Sequence, residues 1–178
     1  MYVIDSGKIE HNINLAKQYL AAMNTQNLAI LDEIFHPSFQ INQQIETPSF
    51  RYQRENADVN DIKNILTGYL TAFPDLYLKI IDVLASENSA VVYYIAKMTH
   101  MGNFFGLKAT NKVIEAEGFY YFKMKEGKII DYSLTFDTLK LYSEIGHAII
   151  EEGDDGTVSE YLKILLNLNL DKRKEKTL

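Results

Sequence analysis

The residue pattern predicts an α+β fold in which helices pack on one face of a curved antiparallel sheet, and three observations point to it. Up to residue 73 the apolar residues recur at steps of three and four, the spacing of amphipathic helices. From Leu76 to Phe136 the period changes to two, the spacing of strands. Between the strand segments lie turn residues, Ser86-Glu87-Asn88-Ser89 and Glu126-Gly127, so consecutive strands pair as an antiparallel meander. Helices first and strands afterwards mark an α+β chain rather than a string of βαβ units.

Ile9, Ile13, Ala16, Leu20 and Met23 fall on one stripe, which predicts a first helix over residues 8–24 with Lys and Gln on its other face. After a polar break at 24–27, Leu28, Leu31, Ile34 and Phe35 predict a shorter second helix that Pro37 ends. Residues 38–45 alternate weakly through Phe39, Ile41 and Gln43, a weak or edge strand. The polar stretch 46–60, with Pro48, Arg51, Arg54 and Asn56, reads as a loop; loops of this length are either ligand-contacting lids or plain connectors. Asp58 is placed to cap a third helix, because Val59, Ile62, Ile65, Leu66, Tyr69 and Leu70 follow at helical spacing until Phe73-Pro74-Asp75.

Leu76, Leu78, Ile80, Asp82 and Leu84 then alternate with Tyr77, Lys79, Ile81 and Val83, a strand apolar on both faces. In the next, residues 90–100, Tyr94, Ala96, Met98 and His100 share one face and Tyr93, Ile95, Lys97 and Thr99 the other. The hairpin repeats this: Ile114, Ala116, Gly118, Tyr120, Phe122 and Met124 on one strand, and Ile130, Tyr132, Leu134 and Phe136 on the other, form an apolar phase. Asp131, Ser133, Thr135 and Asp137 oppose it. A short helix follows Asp137 and closes near Gly146, which bounds a domain at residues 1–146. Residues 147–178 read as an extension: a turn at Gly153-Asp154-Asp155-Gly156, an amphipathic helix over 158–168 and a charged tail.

A chain of 178 residues, 47% hydrophobic, suffices for one domain with a real core. Its net charge of -6 and the lack of a basic cluster before the tail argue against a nucleic-acid partner. Without cysteine there is no disulfide, thiolate metal site or Cys nucleophile. No run of about 18 apolar residues and no secretory pattern at the start is present, so a soluble, cytoplasmic protein without membrane association is expected. His11, His36 and His147 lie far apart without an i, i+4 pair, so no metal site is expected, and no Gly-rich phosphate loop joins a strand to a helix. Twelve Tyr and nine Phe with no Trp suit either a pocket lining or a bulky core.

The stretch 99–146 has a pattern of its own: Thr99-His100, Gly102-x-Phe104-x-Gly106-Leu107, Thr110-x-Lys112, Gly118 inside a strand, Glu126-Gly127-Lys128-Ile129, Phe136-Asp137 and Ile145-Gly146. In order and spacing this resembles the SnoaL-like polyketide cyclase family of the nuclear-transport-factor-2-like superfamily, over residues 9–146. The resemblance implies a cone-shaped, cystatin-like α+β domain whose open end holds a small hydrophobic molecule. It implies a homodimer or larger homo-oligomer, for which the mixed face of Glu115, Glu117, Phe119 and Tyr121 is the place to look. Members with known activity close a polyketide ring by an intramolecular aldol reaction on an ester substrate, with no metal or organic cofactor. Their general base falls on Asp137 here and a pocket histidine on His100; Asn42, Tyr132, Phe104, Phe136 and Tyr120 are the candidate lining.

The chemistry is reasonable for those residue types. A carboxylate in a dry cavity is made more basic by desolvation, which suits removal of a proton alpha to a carbonyl. An imidazole or phenol beside it can hydrogen-bond the developing enolate oxygen. Structural alternatives stand beside this: Asp137 also suits the N-cap of the helix it precedes, and its phase is that of Asp131, Ser133 and Thr135. His100 also suits a structural role. Many members have a pocket histidine where this chain has Asn42, and His-Trp-Asp where it has Tyr132, Ser133 and Leu134. Asn and Tyr can hydrogen-bond a ligand, but neither exchanges protons near neutral pH as imidazole does. Two functions therefore follow, a cofactor-independent cyclase or related lyase or isomerase, and a non-catalytic binding or dimerising scaffold.

Overall fold

The computed structural model describes residues 4–40, 57–104 and 106–152. Helix α1 (Ser6–Asn24) starts at Asp5, whose carboxylate accepts from the Gly7 and Lys8 N–H groups. Its buried face is Asn12, Leu15, Ala16, Tyr19, Leu20, Ala22 and Met23, a stripe turned away from the expected one so that Ile9 and Ile13 are only half-buried. Two asparagines explain the turn. Asn12 Nδ2 donates to the Ser86 carbonyl at 2.8 Å, and Asn24 makes a two-point bond with the backbone of Leu78, at 3.0 and 2.7 Å, as a neighbouring strand would. Apolar periodicity alone does not register such polar anchors.

A 3-10 turn (Leu28–Ile30) leads into the short helix α2 (Leu31–Ile34), beyond which the His36 N–H donates to the Ile129 carbonyl at 2.8 Å. Of the weak strand and loop expected over 38–60, residues 41–56 lie outside the described residues; Phe39 and Ala57 on either side are buried. Helix α3 (Val59–Ala72) begins as its sequence predicts, with Asp58 and Asp61 forming a reciprocal capping box.

Four strands follow, β1 (Tyr77–Ala85), β2 (Ser89–Thr99), β3 (Val113–Lys125) and β4 (Lys128–Phe136), in the order β1-β2-β3-β4 and antiparallel throughout. Two bulges break the strict alternation. In β1 the register shifts between Ile80 and Asp82, so Leu84 is exposed rather than sharing the face of Leu78. In the hairpin Lys123 pairs with Asp131 but Met124 with Ile129, which leaves Ile130 as the extra residue and puts Ile129 into the core in its place. The Glu126-Gly127 turn has positive φ at both residues (51° and 73°), the geometry whose twist matches paired strands.

Helix α4 (Thr138–Glu152) runs through Gly146 without a break, and buries Leu141, Tyr142, Ile145, Ala148 and Ile149. The helix expected over 158–168 lies outside the described residues. The helices cover one face of the curved sheet, and the hydrophobic core lies between them and the phase of β2 and β3 that includes Val92, Tyr94, Met98, Ile114, Tyr120 and Phe122. The other face is mixed: Tyr77, Ile81, Leu84, Val113, Phe119 and Tyr121 are exposed, Tyr93 stacks on Phe119 at 4.7 Å, and its hydroxyl donates to Glu117.

Candidate functional site

His100 follows directly on β2 and is held from three sides. Before it, Thr99 donates through N–H and hydroxyl to the Asp75 carboxylate, both at 2.6 Å. After it, the Met101 and Gly102 N–H groups share the Ala72 carbonyl at 3.0 Å, closing the end of α3. Its own N–H donates to the Lys112 carbonyl and its carbonyl accepts from Asn111 N–H. Glycine is required at 102, since a Cβ there would stand 2.3 Å from the Thr71 carbonyl oxygen.

The His100 ring is fully buried, with Phe73 and Phe104 at ring-centre distances of 5.5 and 6.3 Å. Its Nδ1 lies 3.1 Å from the Thr110 hydroxyl, while Nε2 has no hydrogen-bond partner. Burial lowers its pKa from the ordinary histidine value, partly opposed by the Gly102 backbone, so the neutral imidazole is the form present at pH 7. Thr110 sets the tautomer. When its hydroxyl donates to Nδ1, Nε2 is the donor; in the reverse arrangement Nε2 is an acceptor.

Aromatic rings extend from this end of the interior to the other. Phe104 meets Tyr69 of α3 at 5.4 Å and Tyr142 of α4 at 6.3 Å. Tyr94 stacks on Tyr120 at 5.2 Å, and Gly118 makes room for it, because a Cβ at 118 would lie 2.5 Å from the Tyr94 hydroxyl. Tyr120 in turn meets Tyr19 of α1 at 5.0 Å and Tyr132 of β4 at 5.9 Å, and Tyr19 and Tyr132 are 5.5 Å apart. Phe39 stacks on Tyr132 at 6.0 Å, and Phe122 and Phe35 complete the group.

The tyrosine hydroxyls at this end repel one another's ionisation. Burial first, then the neighbouring Tyr120 and Tyr132 hydroxyls, pushes Tyr19 far above the ordinary phenol value. Burial likewise raises Tyr94 and Tyr120, and pushes Tyr132 up to about 12. The Tyr120 and Tyr132 hydroxyls lie close enough to that of Tyr19 to raise its pKa by charge and hydrogen-bonding effects, although no contact of Tyr19 meets the geometry of a full hydrogen bond.

Of the residues singled out in the sequence, His100 and Phe104 come together at one end of the interior, and Tyr120 and Tyr132 at the other. Phe136 is half-buried and pairs with Gly118 across the ladder. Asn42 lies outside the described residues. Asp137 is exposed: its N–H donates to the Glu117 carbonyl at 3.0 Å, and its carboxylate accepts from Lys140 N–H at 2.9 Å, capping α4. The two residues expected to work together thus stand in opposite environments, one enclosed and one open.

Sequence reasoning missed Tyr19, Tyr69, Tyr94 and Thr110 as site candidates. Tyr19 follows Leu15 and Ala16 by four and three positions, and Thr110 belongs to the Thr-x-Lys pattern, so both were within reach of the same argument. Two of the other histidines support the hairpin tip, while His147 is exposed on α4. His11 Nε2 lies 2.9 Å from the Gly127 carbonyl; His36 Nδ1 accepts from Ser38 N–H, and its Nε2 is 3.4 Å from Glu126. Among the described residues no group of three or more His, Asp or Glu could hold a metal ion, and no helix is long and apolar enough to cross a membrane.

Several solved structures share this architecture. A SnoaL-like polyketide cyclase assignment from Jannaschia sp. CCS1 superposes with a TM-score of 0.68 at 15% identity, covering 81% of this chain and 97% of that one. AclR of Streptomyces galilaeus, assigned as a hydroxylase, gives 0.65 at 20% identity over 78% and 98%. IdmH of Streptomyces antibioticus, assigned as a polyketide cyclase, gives 0.64 at 18% identity over 75% and 96%. At these identities the likeness shows the fold alone. No curated protein matches the sequence. The sequence itself matches the SnoaL-like polyketide cyclase family over residues 13–145, and the chain belongs to that family.

Proposed function

We propose that this protein binds a hydrophobic carbonyl or ester compound in its aromatic interior and acts on it as a cofactor-independent cyclase, by intramolecular aldol closure, or as a related lyase or isomerase. The observation that supports this most is the enclosed, neutral imidazole of His100 with Nε2 uncommitted. Leaving a buried polar atom unpaired costs about 1–3 kcal/mol, a cost a ligand oxygen removes. With its proton on Nε2, His100 polarises the substrate carbonyl and stabilises the enolate oxygen. Asp137 is the base in this reading: a substrate lying over the β4–α4 junction displaces water from the carboxylate and makes it more basic. Phe104, Phe136, Tyr120 and Tyr132 line the path, and the mixed outer face of the sheet, with Phe119 and Tyr121 exposed, joins two copies into a dimer.

A second reading rests on the cap. The Asp137 carboxylate already accepts from Lys140 N–H and is exposed, which satisfies it without catalysis and favours a non-catalytic ligand-binding or dimerising scaffold. Substitution separates the two, because Asn caps a helix about as well as Asp but is no base. With an ester-bearing polyketide as substrate, Asp137→Asn is expected to lower turnover by roughly 100-fold or more with unchanged Tm. His100→Gln, an amide that still donates, is expected to retain more activity than His100→Ala. Unchanged turnover in Asp137→Asn removes Asp137 from the chemistry, and no turnover by the parent protein leaves the scaffold reading.

A further inference from the structure

Thr110 and His100 face each other across a loop that the backbone ties together beside the ring. The His100 N–H donates to the Lys112 carbonyl at 3.0 Å, and the Asn111 N–H donates back to the His100 carbonyl at 2.9 Å. Asn111 lies in the left-handed region (φ 53°), which Asn tolerates better than most residues. Thr110, just before it, is buried with its hydroxyl 3.1 Å from Nδ1. Which partner donates in this bond decides what the other ring nitrogen, Nε2, can do, and a count of buried polar atoms gives the direction. Among the described residues Nδ1 is the only hydrogen-bond partner of the Thr110 hydroxyl, and Nε2 has none. If the hydroxyl donates, the Nε2 N–H alone is left unpaired. If Nδ1 donates, both the hydroxyl proton and the Nε2 lone pair are left so. One orphaned group fewer favours the first arrangement by roughly tenfold or more.

We infer that Thr110 is a positioning residue, which donates to Nδ1 and so holds His100 in the tautomer that carries its proton on Nε2. This rests on the reading of His100 as the group that polarises the substrate carbonyl, and it deepens that reading by fixing the direction of any bond Nε2 makes. A protonated ring nitrogen donates to an oxygen on which negative charge develops; it takes no proton from a carbon and binds no metal ion. Threonine suits this task better than serine, because its branched side chain restricts χ1 and keeps the hydroxyl aimed at the ring. Burial keeps the imidazole neutral, so it has a defined tautomer at neutral pH. The Gly102 backbone also favours a proton on the ring, although it forms no hydrogen bond with Nε2; a proton on Nδ1 turned toward that backbone is the competing arrangement.

The test reads the tautomer directly, by long-range proton–nitrogen NMR correlation on the full chain labelled with 15N-histidine, with no ligand present. The chain has four histidines, and His100 is assigned as the one missing from the spectrum of His100→Gln. The parent protein is expected to show a protonated Nε2 and a bare Nδ1 at neutral pH. Thr110→Ser is expected to keep that pattern, and Thr110→Val, which loses the hydroxyl, to show both tautomers or a protonated Nδ1. With the ester-bearing polyketide as substrate, Thr110→Val is expected to lower kcat roughly two- to tenfold, in proportion to the tautomer lost, with Thr110→Ser restoring most of it. A protonated Nδ1 in the parent, or an unchanged tautomer in Thr110→Val, overturns the inference. So does a shifted tautomer with parental kcat. If Thr110→Val does not fold, the parent and Thr110→Ser spectra still decide. A parent that carries its proton on Nε2 but turns nothing over overturns the proposed activity instead, and leaves the hold of Thr110 on the tautomer standing.

Discussion

His100 and Asp137 come from neighbouring parts of one sequence pattern and end in opposite surroundings. His100 is enclosed by Phe73 and Phe104, with one ring nitrogen engaged by Thr110 and the other unpaired. Asp137 is open to solvent and is already satisfied by the end of α4. The contrast teaches where a functional argument gains force. A buried unpaired nitrogen costs stability and so calls for a ligand, whereas an exposed capping carboxylate is accounted for by the fold and needs a substrate to change its surroundings before it becomes a base.

The largest expected effect comes from unseating His100 without touching it. Gly102→Ala drives a Cβ against the Thr71 backbone at 2.3 Å, and neither the end of α3 nor the loop can yield cheaply because Met101 and Gly102 both bond to Ala72. A loss of about 1–3 kcal/mol is expected by chemical denaturation, together with weakened ligand binding. A loss of stability with unaltered binding separates His100 from the ligand.

Next in size is the cap at the other member of the pair. Asp137→Ala is expected to cost about 1 kcal/mol and Asp137→Asn close to nothing, read as the shift in denaturation midpoint. Equal losses in both variants mean that the carboxylate charge, rather than the cap, holds the junction.

A smaller effect sharpens the contrast through pH. The folded pKa of His100 is below its unfolded value of about 6.5, so below that pH the unfolded chain binds more protons and stability falls with decreasing pH. His100→Gln is expected to flatten the stability profile on the acid side of about pH 6.5; an unchanged profile means that His100 is protonated as easily folded as unfolded. The tyrosines give the opposite sign. Their folded pKa values are raised, so stability is lost as pH rises above about 10, where the unfolded phenols ionise. Phenolate absorbance is expected to show a set of tyrosines that ionises only on unfolding.

The sequence made the fold legible because its period changes cleanly, from 3.6 to 2 after Phe73 and back to 3.6 after Asp137. Asp58 shows how local the signal was: carboxylate, spacing and capping partner Asp61 lie within four residues. What escaped depends on contacts between distant segments. The pairing of Asn24 with Leu78, 54 residues away, rotates α1 and puts Tyr19 inside. The bulge at Ile130 exchanges it with Ile129, and a strict alternation has no means of signalling an inserted residue. For the site, His100 was readable from its phase with Tyr94 and Met98. Its pairing with Thr110 was not, because the hydrogen bond spans a loop whose path is set by backbone bonds to Ala72 and Lys112.

The most direct test of the proposed chemistry is a crystal structure of the protein with a hydrophobic ester or ketone bound. The account predicts the ligand oxygen within about 2.6–3.2 Å of His100 Nε2, and the Asp137 carboxylate turned from Lys140 N–H toward the carbon alpha to that carbonyl. A ligand bound elsewhere, or one seated in the interior while Asp137 still caps α4 and faces solvent, contradicts it.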